Sequence, residues 1–421
     1  MAYEAGSDPV ILHCDLNGFF ASVECLYRPE LRAVPMAVCG DPEARHGIIL
    51  AKNELAKGFG VQTAETIAAA KKKCPELVLV PPHHDRYVQW SRIVGDVYAQ
   101  YTDMVEPFGI DESWLDLTGC YGISDGAHAA REICSRVKRE LGVTVSVGVS
   151  WNKVFAKLGS DYKKPDAVTC ISRDNYRELL WPLPVEDLLY VGRATSARLR
   201  AVGIDTIGAL AAADPEILRR RLGKMGYTLH AFANGLDCSP VRREDLHPPV
   251  KSVSNSTTLP RDLICDEDVR ITLLGLTEVI AARLREGGFK CRLLSVSVRN
   301  ASLSWSSHQI KLNHAVNGTM ELFSTGMDLF RALHRWPAPV RSLGISAGAL
   351  ERADFPEQLD LFGVAAAREK QAALDTVIDA MRKKYGSASI RRGLTAVNDL
   401  LDSFAAREGN PLPHAGRLGG Y

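Results

Sequence analysis

No stretch of this 421-residue chain approaches the roughly 20 consecutive apolar residues that a helix needs to cross a membrane. Residues 1–9 contain no basic region ahead of the short apolar run that follows them, so the start of the chain does not match a secretory signal peptide. With 46% hydrophobic and 24% charged residues, the composition is typical of a soluble globular protein. We therefore expect no membrane-spanning helix and no membrane partner.

The sequence also lacks the cysteine and histidine spacings that indicate structural zinc. Its ten cysteines include no C-x-x-C pair, and no histidine lies at zinc-finger spacing. Scattered cysteines of this kind are typical of proteins kept in a reducing compartment. The pattern predicts a cytoplasmic protein with reduced thiols, without a zinc finger or a disulfide framework.

The strong positive charge of many nucleic-acid-binding proteins is missing too, because 51 Lys and Arg residues are balanced by 50 Asp and Glu residues. The distribution is nevertheless uneven. Residues 190–300 include 17 basic and 12 acidic residues, and the densest basic run is 219–221. That run could hold nucleic-acid phosphates or could be a solvated helix face, and the sequence favours neither.

The chain does contain a recognisable order of strands and helices. An apolar run at 10–14, a hairpin pattern at 105–118 and alternation of polar with apolar residues at 144–150 predict strands. Apolar residues at three-to-four spacing before Gly142 predict a helix over 125–141. Together these elements predict a split βαββαβ unit. Because the chain is longer than one hydrophobic core usually serves, we expect about three domains.

Two adjacent carboxylates at the bend of the hairpin, Asp111 and Glu112, are the strongest indication of chemistry. A third, Asp15, follows the apolar run 10–14, and pairing of that strand with the hairpin would bring the three together. Such oxygen ligands suit hard divalent cations. They suit in particular two Mg²⁺ ions, roughly 3.5–4 Å apart, that clamp the reacting oxygens of a phosphoryl transfer. The alternative is that the pair only decorates a solvated turn.

Three blocks of the sequence, taken together, resemble the Y-family translesion DNA polymerases of the DNA polymerase IV type. The blocks are 15–24 (DLNGFFASVE), 109–118 (GIDESWLDLT) and 152–165 (NKVFAKLGSDYKKP), and they follow the family's order and spacing. The resemblance extends over roughly residues 8–350. It implies an α+β multidomain fold of the right-hand polymerase type. It also implies a template-directed DNA polymerase that performs low-fidelity translesion synthesis by two-metal nucleotidyl transfer.

The resemblance divides the chain into domains. The implied domains are a split βαββαβ palm (1–19 and 77–171), a small fingers insertion (20–76), a helical thumb (172–240), a little-finger α/β domain (249–352) and a C-terminal tail (353–421). Within the thumb, glycines at 192 and 203 resemble those of a helix-hairpin-helix, which binds DNA phosphates through backbone N–H groups. An ordinary glycine-capped helical turn would show the same glycines.

The resemblance also assigns roles to single residues. Asp15, Asp111, Glu112 and the carbonyl of Leu16 would hold the two Mg²⁺ ions, with Asp111 and Glu112 as the catalytic pair. Phe20 matches the steric gate, an aromatic ring beneath the sugar that leaves no space for a 2′-hydroxyl. The sequence thus implies a preference for deoxynucleotides.

The residues expected to meet the triphosphate agree only in part with the family pattern. Lys164 matches the family's triphosphate-binding lysine. In the fingers the family has a Tyr and, three residues later, an Arg, whereas this chain has Glu54 and Lys57. We expect Lys57 and Lys164 to bind the nucleotide.

A short peptide in the tail resembles the bacterial sliding-clamp-binding pentapeptide. Its matching residues are Gln358, Leu359, Leu361 and Phe362. The alternative is that these residues pack under the following helix, where Leu374, Val377, Ile378 and Met381 are predicted to form one apolar face. The partners implied are primer-template DNA, deoxynucleoside triphosphates and a sliding clamp, for a protein that acts as a monomer.

Two other functions fit parts of the same sequence. A non-catalytic adaptor of the same family would bind DNA and the clamp, but it would not need Asp15, Asp111 and Glu112. A two-metal nuclease would need the carboxylates, but neither Phe20 nor the locally basic half of the chain. Polymerisation accounts for all of these features.

Overall fold

The computed structural model describes residues 8–41, 47–120, 125–243, 249–354, 364–387 and 389–395. Described residues up to 243 belong to one compact unit and those from 249 onward to a second. None of the helices formed by these residues is long and apolar enough to cross a membrane. All ten cysteines are described, and all are free thiols.

The first unit alternates strands with helices. Its strands are β1 (Ile11–Leu16), β2 (Met36–Cys39), β3 (Ile49–Lys52), β4 (Val78–Val80), β5 (Val105–Pro107), β6 (Glu112–Asp116), β7 (Val145–Ser150) and β8 (Val168–Cys170). Its helices are α1 (Phe19–Tyr27), α2 (Glu54–Gly58), α3 (Ile67–Lys73), α4 (His84–Tyr98), α5 (Gly126–Arg136), α6 (Lys153–Tyr162), α7 (Tyr176–Leu180), α8 (Arg193–Arg200), α9 (Ile207–Ala212), α10 (Pro215–Leu222) and α11 (Lys224–Ala233).

A five-stranded sheet in the order β5-β6-β1-β7-β8 forms the centre of this unit. β1 is antiparallel to both of its neighbours, β6 and β7. Because alternate side chains of a strand point to opposite faces, Leu12 packs into the core with α4 and α5, whereas Ile11 packs with Trp114 and with Ala156 of α6. The strand order confirms the predicted split βαββαβ unit. The helix predicted over 125–141 is α5 with one further π-helical turn.

A smaller sheet in the order β3-β2-β4 shares a separate core with α2 and α3. The predicted fingers insertion, 20–76, includes most of α1 together with β2, β3, α2 and α3. β4 pairs with β2 and so extends the sheet past residue 76. At the other end, α1 packs through Phe19 and Val23 into the core of the five-stranded sheet. The limits of the fingers insertion stay a prediction.

Helices α7 to α11 share a third core, which includes Leu199, Ile204 and Leu210. α8 begins after Gly192, and Gly203, with φ 78°, reverses the chain before α9. Only glycine adopts this backbone conformation readily. The predicted pair of helices is therefore present, and its binding to DNA phosphates stays a prediction.

The second unit is an antiparallel sheet with helices packed on it. Its strands are β9 (Ser252–Leu263), β10 (Phe289–Asn300), β11 (Trp305–Val316) and β12 (Val340–Arg352), in the spatial order β11-β10-β12-β9. Its helices are α12 (Asp266–Glu286), α13 (Thr319–Leu333) and α14 (Val364–Tyr385). α12 and α13 share one hydrophobic core with the sheet.

α14 faces the second unit with charged side chains. Asp375 is buried and accepts hydrogen bonds from the Thr319 backbone (2.9 Å) and from Arg392 (2.7 Å). The four residues that were predicted to share one apolar face of α14 differ in burial: Ile378 is buried, but Leu374, Val377 and Met381 are exposed. Ion pairs, which apolar periodicity does not register, decide which face of α14 packs inward.

Gly148 in β7 allows the sheet to approach α6 closely, and its replacement by Ala tests that contact. A Cβ atom there would lie 1.9 Å from the backbone oxygen of Ala156. Since backbone atoms can yield only by moving β7 away from α6, we expect Gly148→Ala to lower the free energy of unfolding by about 3 kcal/mol or more. Denaturant unfolding measures this loss.

Gly58 provides the control, because a Cβ atom at this position in α2 would meet nothing within 4 Å. We expect Gly58→Ala to be neutral or slightly stabilising. Equal stability of the two variants would contradict the packing described here.

Candidate active site

The pairing of β1 with β6 brings the three predicted carboxylates together. Asp15 lies directly opposite Glu112 in this antiparallel pair. Asp111 precedes Glu112 at the bend, and its backbone oxygen accepts a hydrogen bond of 3.1 Å from the Leu16 N–H. All four residues that were predicted to hold metal ions therefore lie at one end of these two strands.

Two lysine ammonium groups bind these carboxylates. Lys164 Nζ lies 2.7 Å from Asp15 Oδ2 and 2.7 Å from Asp161 Oδ1. Lys157 Nζ lies 2.8 Å from Glu112 Oε2. α6 and the segment just after it supply both lysines, because α6 packs across β1 and β7. The family resemblance assigned a nucleotide-binding role to Lys164, but no role was predicted for Lys157.

Burial and the neighbouring charged groups shift the pKa values of the three carboxylates in opposite directions. Burial, opposed by Lys164 but reinforced by the other two carboxylates, raises the pKa of Asp15 to about 7. Burial and the Glu112 charge raise the pKa of Asp111 to about 6. Burial also disfavours the charged form of Glu112, but His13 and Lys157 outweigh it and lower the pKa of Glu112 to about 2. At Asp15 and Asp111, burial thus disfavours the charged carboxylate more than the nearby lysines favour it.

His13 is a second residue that sequence reasoning missed. Its side chain is fully buried, with Nδ1 2.8 Å from Ser160 Oγ and Nε2 3.4 Å from Glu112 Oε2. Burial lowers the pKa of His13, which favours the neutral ring. The sequence could have indicated His13, because it lies two residues before Asp15 in β1, and residues i and i+2 of a strand point to the same face of the sheet.

The donor set fits a hard divalent cation in its chemistry. Asp15, Asp111 and Glu112 offer only oxygen ligands, and their mutual repulsion favours a positive charge between them. Among the described residues, no group of three or more Asp, Glu, His or Cys side chains has the arrangement of a metal-binding site. The Nζ atoms of Lys157 and Lys164 bind two of the three carboxylates.

Phe20 lies at the start of α1, a few residues after Asp15. Phe19 beside it is buried in the core, whereas Phe20 is only partly buried. Gly18, at φ 51°, begins the helix, and a Cβ atom on it would lie 3.0 Å from the backbone oxygen of Lys52. The end of β3 thus approaches the start of α1, where the predicted gate is located.

Lys57, the other predicted nucleotide-binding residue, has its ion pair within α2. Lys57 Nζ pairs at 3.4 Å with Glu54 Oε2, and both side chains are more than half exposed. The negative charge of Glu54, which would repel a triphosphate, therefore has a partner on its own helix. The residues predicted to bind the clamp lie outside the described residues; they are Gln358, Leu359, Leu361 and Phe362.

In the basic run 219–221, Arg219 pairs with Glu216 on α10, and all three arginines are exposed.

Known proteins match this chain over most of its length. Residues 14–161 match the model of the impB/mucB/samB family, and residues 250–361 match the model of that family's C-terminal domain. DNA polymerase IV of Acetivibrio thermocellus is 49% identical over 386 residues, which cover 91% of this chain and 97% of that protein. DNA polymerase IV 1 of Bacillus subtilis is 36% identical over 392 residues, which cover 93% of this chain and 94% of that protein.

A solved structure has the same fold. It is a Y-family DNA polymerase chimera, Dbh-Dpo4(243-245)-Dbh, with a TM-score of 0.72 and 23% identity. The match covers 81% of this chain and 98% of that chain. This likeness supports the multidomain α+β architecture expected from the sequence.

Proposed function

This chain belongs to the Y-family DNA polymerases of the DNA polymerase IV type, and we propose that it performs translesion synthesis at the carboxylates of β1 and β6. The observation that supports the site most strongly is the strand register that sets Asp15 opposite Glu112, with Asp111 beside them. Members of this family are DNA-directed DNA polymerases. The substrates are then primer-template DNA and deoxynucleoside triphosphates.

In the proposed reaction, the 3′-hydroxyl of the primer attacks the α-phosphate, and pyrophosphate leaves. Asp15, Asp111, Glu112 and the Leu16 carbonyl would hold two Mg²⁺ ions. When bound, these ions supply the positive charge that stabilises the attacking and leaving oxygens. The residues of the chain hold the reacting groups in line, and most catalysis of phosphoryl transfer comes from positioning and electrostatics.

Lys164 is the residue best placed to exchange one anionic partner for another. Its ammonium group binds both Asp15 and Asp161. When Asp15 serves as a metal ligand, that group would donate to triphosphate oxygens instead. Asp161, which is half exposed, keeps Lys164 near the site during the exchange.

Lys57 would reach the triphosphate from the fingers only after leaving Glu54. Exposed ion pairs contribute at most about 1 kcal/mol, so separating this pair costs little. A lysine provides a point charge rather than the planar, bidentate donor of an arginine. The chain would therefore bind the triphosphate through two lysines, one on each side.

The proposed domain roles follow the family. The sheet containing β1 and β6 is the palm, the sheet of β2 to β4 with α2 and α3 is the fingers, and α7 to α11 are the thumb. The second unit is the little finger. The exposed arginines of α10 support binding to DNA phosphates. Family membership alone supports the low fidelity and the bypass of lesions.

Replacement of the adjacent pair by Asp111→Asn with Glu112→Gln tests the proposed reaction. Metal ligation needs ionised oxygens, whereas duplex affinity comes mainly from Lys and Arg contacts with phosphates. We expect primer extension with Mg²⁺ to disappear while primer-template binding, measured by fluorescence anisotropy, stays unchanged. Asp266→Asn with Glu267→Gln, another adjacent pair, is the matched control in α12 and should extend normally.

Three outcomes separate polymerisation from its alternatives. Extension by the wild type that the Asp111 and Glu112 changes abolish supports the proposal. An inert wild type that still binds DNA would indicate an adaptor, and shortening of the primer would indicate a nuclease. Extension by the double variant at the wild-type rate would place the catalytic site elsewhere.

We also propose, from the sequence of residues 358–362, that the chain binds a sliding clamp. Leu361→Ala with Phe362→Ala should leave synthesis without the clamp unchanged and abolish its stimulation by the clamp. Each truncated side chain forfeits on the order of 2 kcal/mol of burial, and the two together remove about half of a micromolar interaction. Loss of activity in the absence of the clamp would show instead that these residues pack within the fold.

A further inference from the structure

The ring of Phe20 rests against a buried tyrosine. Its centroid lies 4.1 Å from that of Tyr87 in α4, and the two ring planes differ by only 10°. Tyr87 is fully buried, whereas Phe20 is only partly buried. Phe20 therefore has Tyr87 behind one face, and its ring cannot retreat in that direction unless Tyr87 moves.

The hydroxyl group of Tyr87 is fixed by a buried carboxylate. It donates a hydrogen bond of 2.7 Å to Glu24 Oε1, and Glu24 is fully buried in α1. His83 Nδ1, at 2.8 Å, and Arg86 Nη1, at 3.3 Å, also contact the Glu24 carboxylate. Burial and the bond to Glu24 raise the pKa of Tyr87 well above its usual value, so the hydroxyl keeps the proton that it donates.

These contacts close a loop between two helices. Phe20 and Glu24 lie four residues apart on α1, and residues at this spacing point to the same face of a helix. Tyr87 of α4 contacts Phe20 with its ring and Glu24 with its hydroxyl. Both the distance of the Tyr87 ring from α1 and its orientation are thereby fixed.

Apolar packing alone would not require this arrangement. A buried carboxylate is costly unless several donors compensate it, and a leucine at position 87 would fill a core without any charge. Such polar anchors restrict the orientation of the groups that they hold. Because the Tyr87 ring is stacked on the partly buried Phe20 ring, the anchor also restricts the orientation of Phe20.

We propose that Tyr87, tethered by Glu24, is a positioning residue that holds the Phe20 ring and so sets the discrimination between deoxynucleotides and ribonucleotides. This role rests on the proposed function of Phe20 as the steric gate. A 2′-hydroxyl differs from hydrogen by a single oxygen atom, so a gate excludes it only while the ring stays in place. Release of Tyr87 would let Phe20 move away from the sugar.

The test compares kcat/KM for dGTP and GTP opposite a template dC in Phe20→Ala, Tyr87→Phe and Tyr87→Leu. Tyr87→Phe keeps the ring and removes the tether, whereas Tyr87→Leu removes both. Tyr101→Phe is the matched control, because Tyr101 also donates to a glutamate, at 3.0 Å from Glu132 Oε1, on an exposed part of the same unit. Damage to folding lowers both rates together, so their ratio reports the gate and not the amount of folded enzyme.

We expect the dGTP-to-GTP ratio to fall about threefold in Tyr87→Phe and about tenfold or more in Tyr87→Leu, with most of the change in GTP use. Tyr101→Phe should keep the wild-type ratio. In a Phe20→Ala background, Tyr87→Phe and Tyr87→Leu should have no further effect on the ratio, because the ring they position is gone.

Failure of this role and failure of the gate give different results. An unchanged dGTP-to-GTP ratio in Phe20→Ala would show that Phe20 is not the steric gate, and the positioning role of Tyr87 would fail as well. A lowered ratio in Phe20→Ala with a wild-type ratio in Tyr87→Phe would overturn the positioning role alone. An equal effect of Tyr87→Phe with and without Phe20 would also overturn it. Tyr87→Phe keeps the core volume, so the test stands even if Tyr87→Leu does not fold.

Discussion

The antiparallel pairing of β1 with β6 sets the register on which the site depends. Side chains alternate along a strand, so a slip of one residue would turn Asp15 to the opposite face and separate it from Glu112. Burial on both faces opposes such a slip, because Leu12 and Ile11 each belong to a different apolar core. The hydrophobic pattern that folds the sheet thus also brings the carboxylates together.

Electrostatic balance links this sheet to α6. Burial at one end of β1 and β6, together with repulsion among the three carboxylates, raises the pKa values of Asp15 and Asp111. Lys157 and Lys164 offset part of it, and Gly148 allows α6 to lie close enough for them to do so. A site of this kind is suited to bind cations and a polyanion together, because carboxylate oxygens and lysine ammonium groups lie side by side in it.

The sequence predicted the elements that depend on local pattern, and it missed those that depend on contacts between distant residues. Asp111 and Glu112 are adjacent in a recognisable block, and the order of the palm strands follows from periodicity. The buried face of α14, by contrast, depends on ion pairs such as that of Asp375 with Arg392. Tyr87 lies 67 positions after Phe20, so no local pattern connects the two rings. Known relatives supplied the function because shared blocks identify chemistry that hydrophobic periodicity does not.

We propose that Asp15, Asp111 and Glu112 hold two divalent cations during nucleotide transfer. Anomalous diffraction from a crystal of the full chain with primer-template DNA, Mn²⁺ and a non-hydrolysable deoxynucleotide tests it most directly. Two anomalous peaks among these three carboxylates, with Lys164 Nζ bound to the triphosphate rather than to Asp15, are the result expected. Absence of peaks there, with the nucleotide bound at another place, would contradict the assignment.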